Sequence, residues 1–162
     1  MISSLKNSKT TLPTRHPGLT NRGVSHYVMN KYEIKRSAKL RKIANQVIKE
    51  RPDLQWIKEA GVKLCYLESQ QEKKTGNGTK LVLGECTKVK ETMHWCCPYH
   101  FLITVYVQNC ADFDAEKLKI LLWHELKHVG MKQDTVEPEF YVVPHDYEEF
   151  ADIINEYGLD WT

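Results

Sequence analysis

The chain has 162 residues, of which 41% are hydrophobic and 27% charged, as in an ordinary soluble globular domain. No apolar stretch reaches the length of a membrane span, and the N-terminus lacks the apolar run of a secretory signal, so we expect a cytoplasmic protein without membrane contact. Five cysteines, an odd number without C-x-x-C spacing, argue against a disulfide framework.

The beginning of the chain is strongly basic. Residues 1–42 contain ten Lys or Arg and one acid, a balance of +9, so the remaining residues sum to −7. Ser, Thr, Asn, Pro and Gly dominate residues 1–30, which we predict to be a flexible basic tail ahead of a domain of residues 31–162. Such a tail is usually a solvated end, and the alternative is contact with nucleic acid or another anionic partner.

From about Glu33 the spacing of apolar residues predicts an amphipathic N-terminal helix. Leu40, Ala44 and Val47 fall on one face, with charged residues between them. Pro52 ends this helix because its ring clashes with the preceding turn. The stretch LQWIKEAG, which follows, is consistent with a short turn of helix.

Three segments are predicted as strands: residues 62–69, 80–89 and 101–107. A polar, Gly-containing loop joins the first two, which predicts a long hairpin. The third, FLITVYV, is β-branched and aromatic throughout, so we expect it to be covered on both faces. With the helices, these strands predict an α+β fold around a small three-stranded, mostly antiparallel sheet.

A second long helix is predicted over residues 115–129, with Asp112 or Asp114 as N-cap and Gly130 as the C′ residue. Its core stripe is formed by Leu118, Leu122, Leu126 and Val129. A second stripe, expected to face solvent, is formed by Lys119, Trp123 and Lys127.

The third sector of this helix contains His124, Glu125 and His128, an H-E-x-x-H arrangement. Two imidazoles one turn apart can bind a single Zn²⁺, and the glutamate, offset around the helix, can reach a water instead of the metal. This spacing predicts a catalytic zinc site with Glu125 as general base. The alternative is two exposed histidines on a surface helix.

A catalytic zinc needs a third protein ligand, and His145 and Glu148 are the candidates. A last helix is predicted over about residues 147–157, with Asp146 and Glu149 spaced as an acidic capping box. Helical periodicity places Glu148 opposite the buried stripe of that helix. His145 precedes the helix, where a loop residue can turn inward, so His145 is the favoured ligand.

The segment HWCCPYH, residues 94–100, crowds two histidines and two cysteines together. Structural zinc sites usually draw paired ligands from two separated knuckles, and the sequence has no second pair. We therefore interpret this segment as a turn leading into a strand, with a second zinc site as the alternative.

The run LLWHELKHVG, followed after a loop by HDYEEFADIINEYG, resembles the putative phage metallopeptidase family, which combines H-E-L-x-H with a later H-D-x-x-E-F segment and a closing glycine. The upstream LGECTKVK is also similar to that family, so the resemblance covers residues 33–160; the order of parts is more distantly similar to SprT-type zinc proteases. The resemblance implies a zincin-like fold, a protein or peptide substrate and a phage or mobile-element origin. It also implies ligands and a general base at these positions: His124, His128, His145 and Glu125.

The sequence hypothesis is therefore a small zinc-dependent peptidase in which the edge of strand 101–107 aligns an extended peptide by strand addition. Two hypotheses compete with it. One is a metal-stabilised binding protein that does no chemistry and contacts nucleic acid or a protein partner through its basic N-terminus. The other is a toxin or anti-host factor whose peptidase activity appears only in a complex.

Overall fold

The computed structural model describes residues 33–132, 138–145 and 150–159. Within them the fold is α+β, as predicted, with elements in the order β1 (Ile34–Arg36), α1 (Ala38–Glu50), α2 (Trp56–Glu59), β2 (Leu64–Ser69), β3 (Gly84–Lys88), β4 (Phe101–Tyr106), α3 (Ala115–Lys127), β5 (Val129–Lys132), β6 (Glu139–Val142) and α4 (Ala151–Tyr157). The tail predicted over residues 1–30 lies outside the described residues. Among the described helices, none has the length and apolar character needed to cross a membrane.

Strands β1 to β4 form one sheet in the order β1-β2-β4-β3, and β5 and β6 form a separate antiparallel pair. The central pair, β2 and β4, is parallel, with Leu64 opposite Phe101 and Ser69 opposite Tyr106. β1 and β3 flank this pair in antiparallel orientation. The sheet is mostly antiparallel, as predicted, since two of its three pairings are antiparallel. The predicted number of three strands is wrong, because residues 34–36 add a fourth strand, and the central pairing is parallel.

Strand β4 separates β2 from β3, so the predicted hairpin between residues 62–69 and 80–89 is also wrong. The side chains explain the order. Phe101, Ile103 and Val105 of β4 are at most 1% exposed, so the most apolar strand takes the most enclosed position in the sheet. Because β4 has hydrogen-bonded neighbours on both sides, its edge cannot align a peptide by strand addition, and that prediction fails as well.

Helix α1 begins later than the sequence predicted, because residues 34–36 pair with β2 instead of starting the helix. Ser37 caps it, since its Oγ accepts a hydrogen bond from the Leu40 N–H at 3.1 Å. The helix ends at Glu50, just before Pro52 as predicted, and the short helical turn predicted next is α2. The predicted apolar face is buried: Leu40, Ala44, Val47 and Ile48.

Helix α3 is capped by Asp114, whose Oδ1 accepts from the Lys117 N–H at 2.8 Å. Its predicted core stripe is confirmed as buried: Leu118, Leu122, Leu126 and Val129. The prediction that Trp123 faces solvent is wrong, because this side chain is only 3% exposed. The guanidinium of Arg51, at the end of α1, lies 3.6 Å from the centre of a Trp123 ring and covers it.

Helix α3 ends at Lys127, and after the cap residue His128 the chain continues directly into β5. Gly130 is therefore not the predicted helix-terminating residue but part of a strand. A Cβ at Gly130 would lie 2.8 Å from the Tyr141 ring and 2.9 Å from Cγ2 of Val143. The missing side chain at this position allows the residues of and just after β6 to pack closely on β5.

Helix α4 begins at Ala151, later than predicted, and ends at Gly158, whose φ of 78° suits glycine. The predicted capping box, Asp146 and Glu149, lies outside the described residues. Phe150 and Ile153, which belong to the predicted buried stripe, are 2% and 0% exposed. The helix therefore packs on the core through the face that its periodicity indicated.

Two ion pairs fasten α4 to the earlier helices. Both nitrogens of the Arg51 fork donate to the carboxylate of Glu156, at 2.6 and 2.7 Å. Lys127 of α3 forms an ion pair with Asp152. The Arg51 side chain thus joins three helices, since it contacts Trp123 on one side and Glu156 on the other.

Candidate metal centre

The two histidines of the motif lie one turn apart on the last part of α3, and both are half-buried. Their Nε2 atoms are 3.3 Å apart. This proximity follows from the helical period of 3.6 residues, which places positions i and i+4 on the same face. The cap at Asp114 and the buried leucine stripe fix the rotation of α3, so the two rings face away from the core stripe.

His145 comes to the same place by way of the β5–β6 pair. Gly130 pairs with Tyr141 in the antiparallel register, and the Val143 N–H then donates to the carbonyl oxygen of His128 at 2.8 Å. Two residues later, the exposed His145 places its Nε2 3.0 Å from that of His124. Backbone pairing therefore positions the third imidazole against the first two.

The Val143 carbonyl oxygen orients the His128 ring. It lies 2.6 Å from Nδ1 of His128, a distance at which the Nδ1–H donates to it. A proton on Nδ1 leaves the lone pair on Nε2, the nitrogen that faces His124. Ligating histidines commonly use a backbone carbonyl in this way to set the tautomer.

Phe150 forms an apolar wall beside all three imidazoles. Its ring centre lies 5.4, 4.9 and 5.2 Å from those of His124, His128 and His145. The Phe150 side chain is 2% exposed, so it shields that side of the cluster from water. His145 itself is exposed, so the cluster is in contact with solvent at this residue.

These three residues fit a metal ion. Each offers an imidazole nitrogen, and the three ligand atoms lie within 4.8 Å of one another. Two nitrogens on one tetrahedral zinc, each at about 2.0–2.1 Å, stand about 3.3 Å apart. The observed separations of 3.3 Å and 3.0 Å agree with that spacing. Imidazole nitrogens suit Zn²⁺ and other first-row transition metals.

Glu125 is buried between α3 and the edge strand β3. Its side chain is 3% exposed, and its Oε1 lies so close to Gly84 that a Cβ on this residue would be 2.5 Å away. Burial raises the pKa of Cys110 to about 11, and the nearby Glu125 carboxylate adds to this rise. The pKa of Cys86, on β3, is raised for the same two reasons, burial first.

Gly84 is a residue of this site that the sequence analysis missed. A glycine inside a strand pattern is the available signal, since such a glycine often marks the close approach of another group. Here that group is the carboxylate of Glu125, held against the strand backbone. Phe150 was expected only to be buried, and its place beside the imidazoles was not foreseen.

The alternative ligand Glu148, and Asp146 with it, lie outside the described residues. Residues 94–100 lie within them, and they form turns ahead of β4, as interpreted from the sequence. In the described part of the chain, His124, His128 and His145 are the only group of three or more potential ligands close enough to share an ion, so a second zinc site at HWCCPYH is not formed. All five cysteines are free thiols.

Comparison with known proteins gives one family. The family model described as putative phage metallopeptidase matches residues 32–162, which is most of the chain and includes every residue of the site described above. Comparison with curated proteins and with solved structures gives no match.

Proposed function

The chain belongs to the putative phage metallopeptidase family, and from this premise we propose that it is a zinc-dependent peptidase with a zincin-like site. The observation that supports the proposal most directly is the convergence of three imidazoles, from His124, His128 and His145, whose ligand atoms lie within 4.8 Å of one another. When bound there, the ion would act as a Lewis acid that acidifies water and polarises the scissile carbonyl.

In this proposal Glu125 is the general base. It follows His124 directly on α3 and is offset around the helix, so its carboxylate can reach a water beside the cluster without being a ligand. It would accept the proton of the attacking water and later deliver it to the leaving amine. Burial of the side chain between α3 and β3 restricts its rotamers, which is how a proton-transfer group is held in place.

Strand β3 takes the place of β4 as the candidate for aligning substrate. In the described four-stranded sheet, β3 is the outer strand on the side of Glu125, and β4 is its hydrogen-bonded neighbour. We propose that an extended peptide lies along the outer edge of β3, since a strand edge offers backbone donors and acceptors to a partner chain of any sequence. The scissile bond would then pass near Glu125.

Replacing Glu125 by Gln separates chemistry from metal binding. Glu125→Gln should keep the bound zinc and the fold but abolish hydrolysis, whereas His128→Ala should lose the metal. Glu116→Gln, on the exposed first turn of the same helix, is the matched control and should leave both unchanged. Zinc content is measured by elemental analysis of the purified full chain, and hydrolysis with fluorescently labelled casein. Turnover that survives Glu125→Gln would overturn the assigned role.

The competing hypothesis of a metal-stabilised binding protein makes a different prediction for the unmodified chain. It expects zinc in the purified protein, loss of zinc in His128→Ala, and no hydrolysis by the wild type. A partner-dependent peptidase would also be inactive alone. A pull-down with the wild type and with Glu125→Gln distinguishes the two. A peptidase should retain uncleaved substrate, with its partner, only in the Glu125→Gln variant, whereas a binding protein should retain the same partner in both.

A further inference from the structure

A concavity lies toward the β1 edge of the sheet, where α1 begins. It has a volume of about 280 Å³ and is open to solvent. The concavity is lined by the end of β1, the first turns of α1, strand β2 and the segment just ahead of β4. The polar residues and cysteine of this lining are Arg36, Ser37, Arg41, Cys65, Tyr66 and Tyr99. In the strand order β1-β2-β4-β3, the lining strand β2 and the strand β3 beside Glu125 are two strand spacings apart, which is about 10 Å.

Two arginines, one from the end of β1 and one from α1, give the lining of the concavity a positive charge. Arg36 and Arg41 both line it, and in the described ranges of the chain neither forms an ion pair with a carboxylate. The carboxylate of Glu68 is hydrogen-bonded to the lining residue Ser37. It accepts from Ser37 Oγ at 2.5 Å and lies 3.8 Å from the Lys35 amine. Glu68 is therefore engaged with Ser37 and Lys35, and among the described residues it forms no ion pair with either guanidinium.

The remaining polar groups of the lining suit an anion as well. Tyr99 offers a phenol hydroxyl, and the Arg36 guanidinium lies 5.3 Å from the centre of its ring, a contact that restricts the long arginine side chain. Cys65 is 6% exposed, and burial raises the pKa of its thiol against the opposing effect of Arg36. The thiol thus stays neutral and adds no negative charge to the floor of the concavity.

We propose that this concavity, the Arg36–Arg41 pocket, binds a phosphate group. Two planar guanidiniums on one hollow match the paired oxygens of phosphate, with which arginine forms bidentate hydrogen bonds. A volume of about 280 Å³ admits a phosphate together with a small attached group such as a sugar. The phosphate can come from a free phosphate ester or from the backbone of a nucleic acid, and both present the same oxygens. The proposal does not depend on the metal centre or on peptidase activity.

Inorganic phosphate is the first probe, titrated into the zinc-loaded full chain while the arginine Nε–Hε signals are followed by NMR. We expect saturable shifts in the wild type. Arg36→Gln and Arg41→Gln should each weaken binding about tenfold or more, read from the arginine that remains. Lys42→Gln, an exposed cation on α1 outside the lining, is the matched control and should change the affinity less than twofold. Equal weakening by all three variants, or no saturation in the wild type, would overturn the proposal.

A second arm identifies the source of the phosphate. Single-stranded oligothymidylate of twelve nucleotides is titrated in the same way and then used to compete with inorganic phosphate. If the oligonucleotide displaces inorganic phosphate from the wild type but not from Arg41→Gln, the result supports the pocket and identifies its ligand as the backbone of a nucleic acid. Binding of inorganic phosphate without competition supports the pocket and assigns it to a free ester. A folded Arg41→Lys variant that binds phosphate as tightly as the wild type would contradict the bidentate contact.

Discussion

A methyl group at position 84 should displace Glu125, the proposed general base, without touching the three histidines proposed as metal ligands. In Gly84→Ala the new Cβ would lie 2.5, 2.9 and 3.0 Å from Oε1, Cδ and Cγ of Glu125. Ordinary contacts between such atoms begin at about 3.5 Å, so the carboxylate has to retreat by about 1 Å. A misplacement of that size at a reacting group costs about a hundredfold in rate. We therefore expect kcat to fall about a hundredfold, with KM and zinc content close to those of the wild type.

The assay for Gly84→Ala is hydrolysis of labelled casein by the zinc-loaded protein, with the free energy of unfolding measured in parallel. Gly76→Ala is the control, because a Cβ at Gly76 would meet no atom within 4 Å, and its kcat should not change. If β3 moves instead of Glu125, Gly84→Ala will lose stability by about 1–3 kcal/mol of overpacking but keep its kcat. That result would refute the claim that Gly84 positions the base.

Two further predictions concern stability. Arg51→Ala should lower the free energy of unfolding by about 1–2 kcal/mol in chemical denaturation, because the residue stacks on Trp123 and binds Glu156 with both nitrogens of its fork; an unchanged midpoint would contradict this. Burial lowers the pKa of His100, whose Nδ1 accepts from the Lys63 N–H. On acidification the unfolded chain therefore takes up the His100 proton at a higher pH than the folded chain does. The contribution of His100 to the free energy of unfolding is fully present above the ordinary pKa of 6.5 and is lost as the pH falls below it. His100→Asn should reduce that slope in denaturation curves taken between about pH 7 and 5.

The helices could be predicted from the sequence because their signals are local. The cap at Asp114, the leucines of the core stripe and the i, i+4 spacing of the two histidines are local features of α3 and its cap residue, so the helix and the proximity of His124 to His128 were predicted correctly. The burial of Trp123 could not be predicted in the same way. It depends on Arg51, a residue distant in the chain that covers the indole ring only after α1 and α3 have packed.

The strand pairing was harder to predict because it is non-local. A loop of suitable composition between residues 62–69 and 80–89 favoured a hairpin, yet β4 takes the place between them. In that position Phe101, Ile103 and Val105 of β4 are at most 1% exposed, so the apolar surface of this strand is removed from water. Local sequence patterns indicated three of the six strands, and they gave no information on the order in which those three pair.

The third imidazole is placed by a hydrogen-bond ladder and not by the loop that precedes it. Val129 lies opposite Val142 in that ladder, and the bond from Val143 to His128 extends it toward His145. Slipping the two strands by a single residue would turn alternate side chains to the opposite face and carry His145 away from its partners. We therefore expect the position of His145 to depend on the register of β5 and β6, and a change that preserves this register should leave the third imidazole beside the other two.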